Sequence, residues 1–223
     1  MKECWQNLID LVGNPSVTFE RLKSNPKWIL AFVVFCLFSI ILGWTHAPYT
    51  LKLLYQQNAN QDEFDNTISL ISVIASALVI AVLWDIMLSS ILTIVAKVSK
   101  ISKELTFKHI YAGIVHTSLV RVLIYMVNIG LVPIFKSVES VNIVIDVRIL
   151  PGLHHLAGPI ENASLVIFLS YINVLSIWYL IVLAFAITTF VEVKKTTAYF
   201  VSIVIWFIRI VAETLFAVNY FPS

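Results

Sequence analysis

Apolar residues are grouped in five long runs along the chain, and polar residues separate each run from the next. A helix that crosses a bilayer needs about 20 mostly apolar residues. The runs therefore predict an all-α membrane fold with five transmembrane helices, which together form one domain over residues 28–220. The predicted spans are about 28–45, 68–96, 110–133, 163–189 and 198–220.

A shorter periodic pattern precedes the first run, within residues 1–27. Apolar residues recur there at i, i+3, i+4 and i+7, a spacing typical of an amphipathic helix that lies in the headgroup region of a membrane. A solvated tail is the alternative, but it has little use for an apolar stripe. The stripe consists of Trp5, Leu8, Ile9 and Val12.

Two Asn-Pro pairs follow this stripe. Asn is a good N-cap, and Pro suits the first helical position because its missing N–H would have no partner there. We therefore expect a short helix from Ser16 to Ser24 after Asn14-Pro15, and the first span to begin at Asn25-Pro26.

Composition supports the membrane class. Of 223 residues, 59% are hydrophobic and 13% are charged, whereas soluble domains average about 45–50% and 25%. We conclude that this is an integral membrane protein.

The positions of the basic residues orient the predicted helices. Lysine and arginine are enriched in cytoplasmic loops, and ten of the fifteen basic residues lie on the side of the N-terminus. The N-terminus is therefore predicted to be cytoplasmic and the C-terminus outside. The ten are Lys2, Arg21, Lys23, Lys27, Lys97, Lys100, Lys103, Lys108, Lys194 and Lys195.

Three stretches carry a resemblance to a known family: Pro15 to Leu22 before the first span, Leu105-Thr106-Phe107-Lys108 before the third, and Asn173 to Leu180 in the fourth. In their order and spacing they resemble the Yip family of membrane proteins in its bacterial branch. The resemblance, to relatives of the eukaryotic Ypt/Rab-interacting proteins, implies a non-enzymatic role in membrane organisation or in lipid or protein trafficking, in a bacterial cytoplasmic membrane. GTPase binding is not expected, because few residues precede the first span.

Four acidic or basic residues of the types Asp, Glu, Lys and Arg lie inside the predicted spans, where charges are costly and often functional. Asp85 and Arg121 stand twelve and thirteen residues from Lys97 and Lys108, which places them at nearly equal depth. Two interpretations stay open: a set of salt bridges that fixes helix packing, or a pocket of a small transporter or channel-like protein for a polar or anionic ligand or a lipid head group. The candidate cluster is Asp85, Arg121, Arg209 and Glu213, with Thr117, Tyr125 and Asn128 on the stripe of Arg121.

Other chemistry finds little support in the sequence. There is no protease, lipase or P-loop motif, and His154-His155 has no carboxylate or cysteine at metal-ligand spacing. We expect no cofactor, no metal and no nucleic-acid partner; membrane lipids, other membrane proteins or further copies of the chain are the expected partners. Apolar residues at every second position from Val141 to Ile149 predict an extended strand.

Overall fold

The computed structural model describes residues 2–57, 66–98, 105–156 and 162–220. These residues form nine α-helices and contain no strand. The helices are α1 (Lys2–Gly13), α2 (Pro15–Ser24), α3 (Ile29–Gln57), α4 (Asn66–Val98), α5 (Phe107–Asn128), α6 (Val132–Phe135), α7 (Ala163–Ser170), α8 (Val174–Val191) and α9 (Lys195–Tyr220). In the described part of the connection between α6 and α7 there are three short 3₁₀ helices, at Val138–Ser140, Val144–Val147 and Leu153–His155.

Five helical stretches in the described residues are long and apolar enough to cross a membrane. A bilayer core has no water to bind backbone groups, and an α-helix bonds all of them internally. The chain is therefore a multi-pass helical membrane protein, and the predicted fold class is confirmed. The stretches are Ile29–Leu54, Ile71–Val98, Phe107–Phe135, Val174–Val191 and Lys195–Asn219.

Contacts divide the chain into two compact units. Each unit takes residues from all five spans, so polar positions on one span can belong to different units. The first unit is Met1–Phe38, Val79–Val122 and Trp178–Ile205. The second unit is Ser39–Leu78, Leu123–Ile177 and Trp206–Ser223.

The N-terminal helices belong to the first unit, and α2 is anchored to α8. The Phe19 ring is fully buried and meets the Phe190 ring edge-on, with centroids 6.1 Å apart. Lys23 Nζ donates to Glu192 Oε1 at 2.7 Å. Glu192 has a φ of 53°, in the left-handed region that ends many helices. Asn14 precedes α2 as predicted, although its side chain accepts from Ser16 Oγ and not from the helix backbone.

A partly buried set of polar side chains joins α1 to α2. Arg21 donates to Asn7 Oδ1 at 3.1 Å and pairs with Asp10. The Arg21 guanidinium, together with Gln6, holds the pKa of the Asp10 carboxyl below its usual value. The opposite face of α1 exposes Trp5, Ile9 and Val12. The N-terminal segment is therefore a folded helix pair with an outward apolar stripe.

The core of the second unit packs the connection between α6 and α7 onto helices. Tyr49 donates its hydroxyl to Lys136 O at 2.9 Å. Lys52 Nζ donates to Glu139 O at 2.8 Å and to Val141 O at 2.5 Å. The core side chains are Tyr49, Leu53, Val132, Val141, Val147, Ile167 and Ala217.

The helix of the first span, α3, is longer than the predicted span. The apolar run was expected to end near residue 45, but α3 continues to Gln57. Pro48 lies inside the helix and cannot donate a backbone hydrogen bond to Trp44. Proline at this position was compatible with a helix end, yet the helix continues through it.

The predicted fourth span is divided in two. Residues 163–189 were expected to form one helix, but α7 ends at Ser170 and α8 begins at Val174. Asn173 and Ser176 cap each other, because Asn173 Oδ1 accepts from Ser176 N and Ser176 Oγ accepts from Asn173 N, both at 3.0 Å. Within the described residues, Val174–Val191 is the part of this run long enough to span.

The prediction of a strand from Val141 to Ile149 was wrong. This stretch contains the 3₁₀ helix Val144–Val147. Asp146 Oδ2 accepts from the backbone N–H groups of Asn142 and Ile143, at 3.0 and 3.2 Å, and bends the chain into a turn. The alternating apolar residues therefore belong to a short irregular connection that contains a 3₁₀ helix, and not to a sheet.

Candidate functional site

Asp85 on α4 and Arg121 on α5 form a buried ion pair in the first unit. Arg121 Nη1 lies 3.5 Å from Asp85 Oδ1, and the two residues are 5% and 2% exposed. Ser118, one turn before Arg121, donates its hydroxyl to the same carboxylate oxygen at 2.7 Å. The pair thus has opposite charges, a supporting hydrogen bond and little exposed surface.

The Arg121 guanidinium has a further neighbour, an aromatic ring, and, in the described part of the chain, one nitrogen atom without a hydrogen-bond partner. Its central carbon lies 5.7 Å from the centroid of the Phe35 ring, a cation–π distance. Its Nη2 atom is buried and has no hydrogen-bond partner among the described residues. A buried donor without a partner is uncommon and calls for a water molecule or a ligand.

The other polar positions on α4 and α5 bond mainly within their own helices. Ser89 Oγ donates to Asp85 O at 2.6 Å, and Thr93 Oγ1 donates to Ser89 O at 2.7 Å. On α5, Thr117 Oγ1 donates to Gly113 O at 2.9 Å. Thr117 therefore shares the stripe of Arg121, but its recorded hydrogen bond is to its own backbone.

Arg209 and Glu213 on α9 form a second charged group, in the second unit, together with Tyr125. Arg209 Nε donates to Glu213 Oε1 at 2.7 Å. The Tyr125 hydroxyl donates to the same oxygen at 2.9 Å and accepts from Arg209 Nη2 at 3.0 Å. These three side chains form a closed hydrogen-bonded triangle.

Asn128, at the end of α5, holds the following connection. Its side-chain oxygen accepts from the backbone N–H groups of Ile149 and Leu150, at 3.1 and 3.0 Å. Asn128 is 5% exposed. Its amide thus positions backbone, and the connection it holds carries Arg148.

The structure places the predicted cluster residues in two groups, one in each unit. Asp85, Arg121 and Thr117 belong to the first unit, and Tyr125, Asn128, Arg209 and Glu213 belong to the second. A single network that joins Arg121 to Arg209 or Glu213 stays a prediction. Within the described residues, no group of three or more His, Cys, Asp or Glu side chains is arranged to hold a metal ion.

Sequence reasoning did not assign Ser118 or Arg148 to a site. Ser118 could have been found, because it lies one turn from Arg121 and thus near the same helix face. Arg148 lies outside the predicted spans, so no site was assigned to it. Its guanidinium lies over the ring of Tyr171, with 3.7 Å from the central carbon to the ring centroid, and no local pattern links the two residues.

Comparison with known proteins gives one match. None of the curated proteins and none of the solved structures matches the chain significantly. The family model for the Yip1 domain matches residues 9–214, which include α2, the first four spans, most of the fifth span and both charged groups. The chain therefore belongs to the Yip1 domain family.

Proposed function

We propose that this protein acts without catalysis in the organisation of a membrane or in the trafficking of lipids or proteins. The family relation supplies the class of function, since the resemblance to Ypt/Rab-interacting proteins implies such a role. The proposed location is a bacterial cytoplasmic membrane, and the proposed orientation, with the N-terminus cytoplasmic and the C-terminus outside, rests on the distribution of the basic residues. Membrane lipids and other membrane proteins are the proposed partners.

The pairing of the intramembrane charges is the observation that carries this proposal. Ionisable groups that serve a translocation path usually face a bundle interior or a water-filled cavity. Here Asp85 is paired with Arg121, and Arg209 with Glu213. Each pair is neutral overall, so each can contribute to helix packing without a bound ion.

Two assays test the proposal. In a strain that lacks the protein, we expect altered distributions of membrane lipids or membrane proteins, and we expect the wild-type chain to restore them. Purified protein in liposomes should move neither a solute nor a labelled lipid faster than empty liposomes do. Normal membranes in the deletion strain, together with transport by the purified protein, would overturn the proposal.

A transporter or channel-like protein is the second candidate. Arg121 favours it, because the buried Nη2 donor has no partner in the described part of the chain and could bind an anionic ligand. Transport in liposomes that is abolished by Arg121→Gln, in a variant with wild-type thermal stability, would support this candidate over the first.

A further inference from the structure

A cluster of basic and aromatic side chains lies in the second unit, around the connection between α6 and α7. It contains Arg148 on the connection, His46 on α3, His154 in the last 3₁₀ helix, and Tyr171 at the break between α7 and α8. None of these four residues is a member of the two ion pairs described above.

Backbone hydrogen bonds fix the position of Arg148. The Arg148 N–H donates to Ile145 O at 3.2 Å and closes the 3₁₀ helix that precedes it. The next two N–H groups donate to the buried Asn128 side chain. The arginine therefore projects from a connection that is tied to the end of α5.

Tyr171 orients the guanidinium. At 3.7 Å from the centroid, the Arg148 guanidinium stacks on the aromatic face. Stacking uses the flat face of the group, whereas its N–H donors lie in the plane and remain suited to a planar or tetrahedral oxyanion. The side chain is thus held in place by the ring and by a hydrogen bond to Tyr171, and the remaining N–H donors of the guanidinium are suited to another partner.

Two imidazoles near Arg148 carry buried nitrogen atoms without partners. Both His46 and His154 lie within electrostatic range of Arg148. His46 Nδ1 shares a hydrogen bond with Thr50 Oγ1 at 2.9 Å, which orients the ring. His46 Nε2 and His154 Nδ1 are buried and have no hydrogen-bond partner among the described residues. Buried polar atoms of this kind normally have a protein, water or ligand partner.

The charges of Arg148, Arg209 and Glu213 sum to a net positive charge. No ion pair of Arg148 occurs within the ranges that the structure describes. Glu213 is within electrostatic range of Arg148, but its charge is already matched by Arg209. A cation with an oriented donor edge, next to two imidazoles, is suited to bind an anion.

We propose that Arg148, His46 and His154 form a binding site for a phosphate group. In the tautomer in which His46 Nδ1 accepts from Thr50 Oγ1, His46 Nε2 carries the proton, and His154 can carry its proton on Nδ1. Arg148 and the two imidazoles then offer donors from three separate elements, which the several oxygens of a tetrahedral phosphate fit better than a flat carboxylate does. The phosphate can belong to a lipid head group or be free in solution. This site does not depend on the proposed function.

Ligand-dependent thermal unfolding of delipidated protein in a neutral detergent tests the site. One arm adds inorganic phosphate, with sodium chloride of equal ionic strength as its control. The other arm adds phosphatidylglycerol, with a diacylglycerol of the same acyl chains as its control. Ligand that binds only the folded state raises the unfolding temperature. A rise with phosphatidylglycerol alone identifies a lipid head group, and a rise with inorganic phosphate identifies the free ion.

Arg148→Gln is the decisive variant. Loss of charged hydrogen bonds should raise the Kd of the effective ligand by about 10- to 100-fold. Lys194→Gln removes the same charge from an exposed residue of the first unit and should leave the Kd unchanged. The absence of any stabilisation of wild-type protein in both arms would overturn the proposal, and so would an unchanged Kd in Arg148→Gln.

Two milder variants keep the test decisive if Arg148→Gln does not fold. Arg148→Lys retains the charge but loses the planar donor edge, and His154→Gln removes one imidazole while Arg148 stays in place. Each should raise the Kd several-fold. Wild-type affinity in both variants would contradict the site.

Discussion

The Asp85–Arg121 pair provides the sharpest test of how charges are accommodated in this membrane protein. The two side chains are 2% and 7% exposed, and their nearest charged atoms are 3.5 Å apart. Asp85→Asn leaves the Arg121 charge without its partner, and Arg121→Gln leaves the Asp85 charge without its own. Each single change therefore creates a buried, unmatched charge with little change in volume.

The expected magnitude follows from this burial. Removing one partner of a buried ion pair costs about 3–5 kcal/mol in soluble proteins, and a charge at the centre of a membrane helix costs about 2.5–3.5 kcal/mol on insertion scales. We expect each single variant to lose about 3 kcal/mol of unfolding free energy. The double variant carries no charge at either position, so it should lose less than the sum, by at least about 1 kcal/mol.

The assay measures the reversible unfolding of the protein in bilayer nanodiscs by steric trapping. Ser90→Ala is a matched control on α4, because the Ser90 hydroxyl donates to the Ile86 carbonyl of its own helix. It should change the free energy by less than about 0.5 kcal/mol. Single variants as stable as the wild type, or losses that add up in the double variant, would refute the account of a coupled ion pair.

Three further predictions concern other parts of the chain. Tyr125→Phe removes the hydroxyl that joins Arg209 to Glu213 and should lower the unfolding free energy by about 1.5–3 kcal/mol, whereas Tyr199→Phe, at an exposed position, should be nearly neutral; equal losses would count against the triangle. In a cysteine-free background, a thiol introduced at exposed Thr196 should react only from the cytoplasm, and one at exposed Asn142 only from outside; labelling of position 196 from outside in intact cells would exclude the proposed orientation. Spin labels along α1 should alternate between lipid and water with a period of 3.6 residues, with position 9 in lipid; uniform exposure to water would exclude a location on the membrane surface.

The five helices could be predicted from the sequence because a bilayer imposes both a length and an apolar composition on each span. The start of α2 could also be predicted, since Asn14-Pro15 is a local signal. The first span was expected to begin at Asn25-Pro26, but Asn25 is the C-cap of α2 and α3 begins at Ile29. Counting residues from the basic flanks placed Asp85 and Arg121 at equal depth, and the structure brings them into contact.

The failures have equally specific causes. Residues 163–189 form one apolar run, and hydropathy does not register the mutual cap of Asn173 and Ser176 that starts a new helix within it. The turn at Asp146 depends on a side chain that accepts two backbone hydrogen bonds, and alternation of apolar residues does not reveal it.

The site around Arg148 was missed for a different reason. Its stacking partner Tyr171 and the two imidazoles come from separate elements, and tertiary packing alone brings them together. Counting residues from the basic flanks, which estimates depth within a span, could not find this cluster either. Arg148 lies in a connection and not in a span.

A structure of the protein determined in lipid by electron cryomicroscopy would test the central claim, that the Asp85–Arg121 pair holds helices together and does not bind a transported ligand. We predict direct contact between the two side chains, at most a single water molecule at Arg121 Nη2, and no continuous aqueous path to either side of the membrane. Density for a solute or lipid head group between Asp85 and Arg121, or an open aqueous path that reaches them, would contradict the claim.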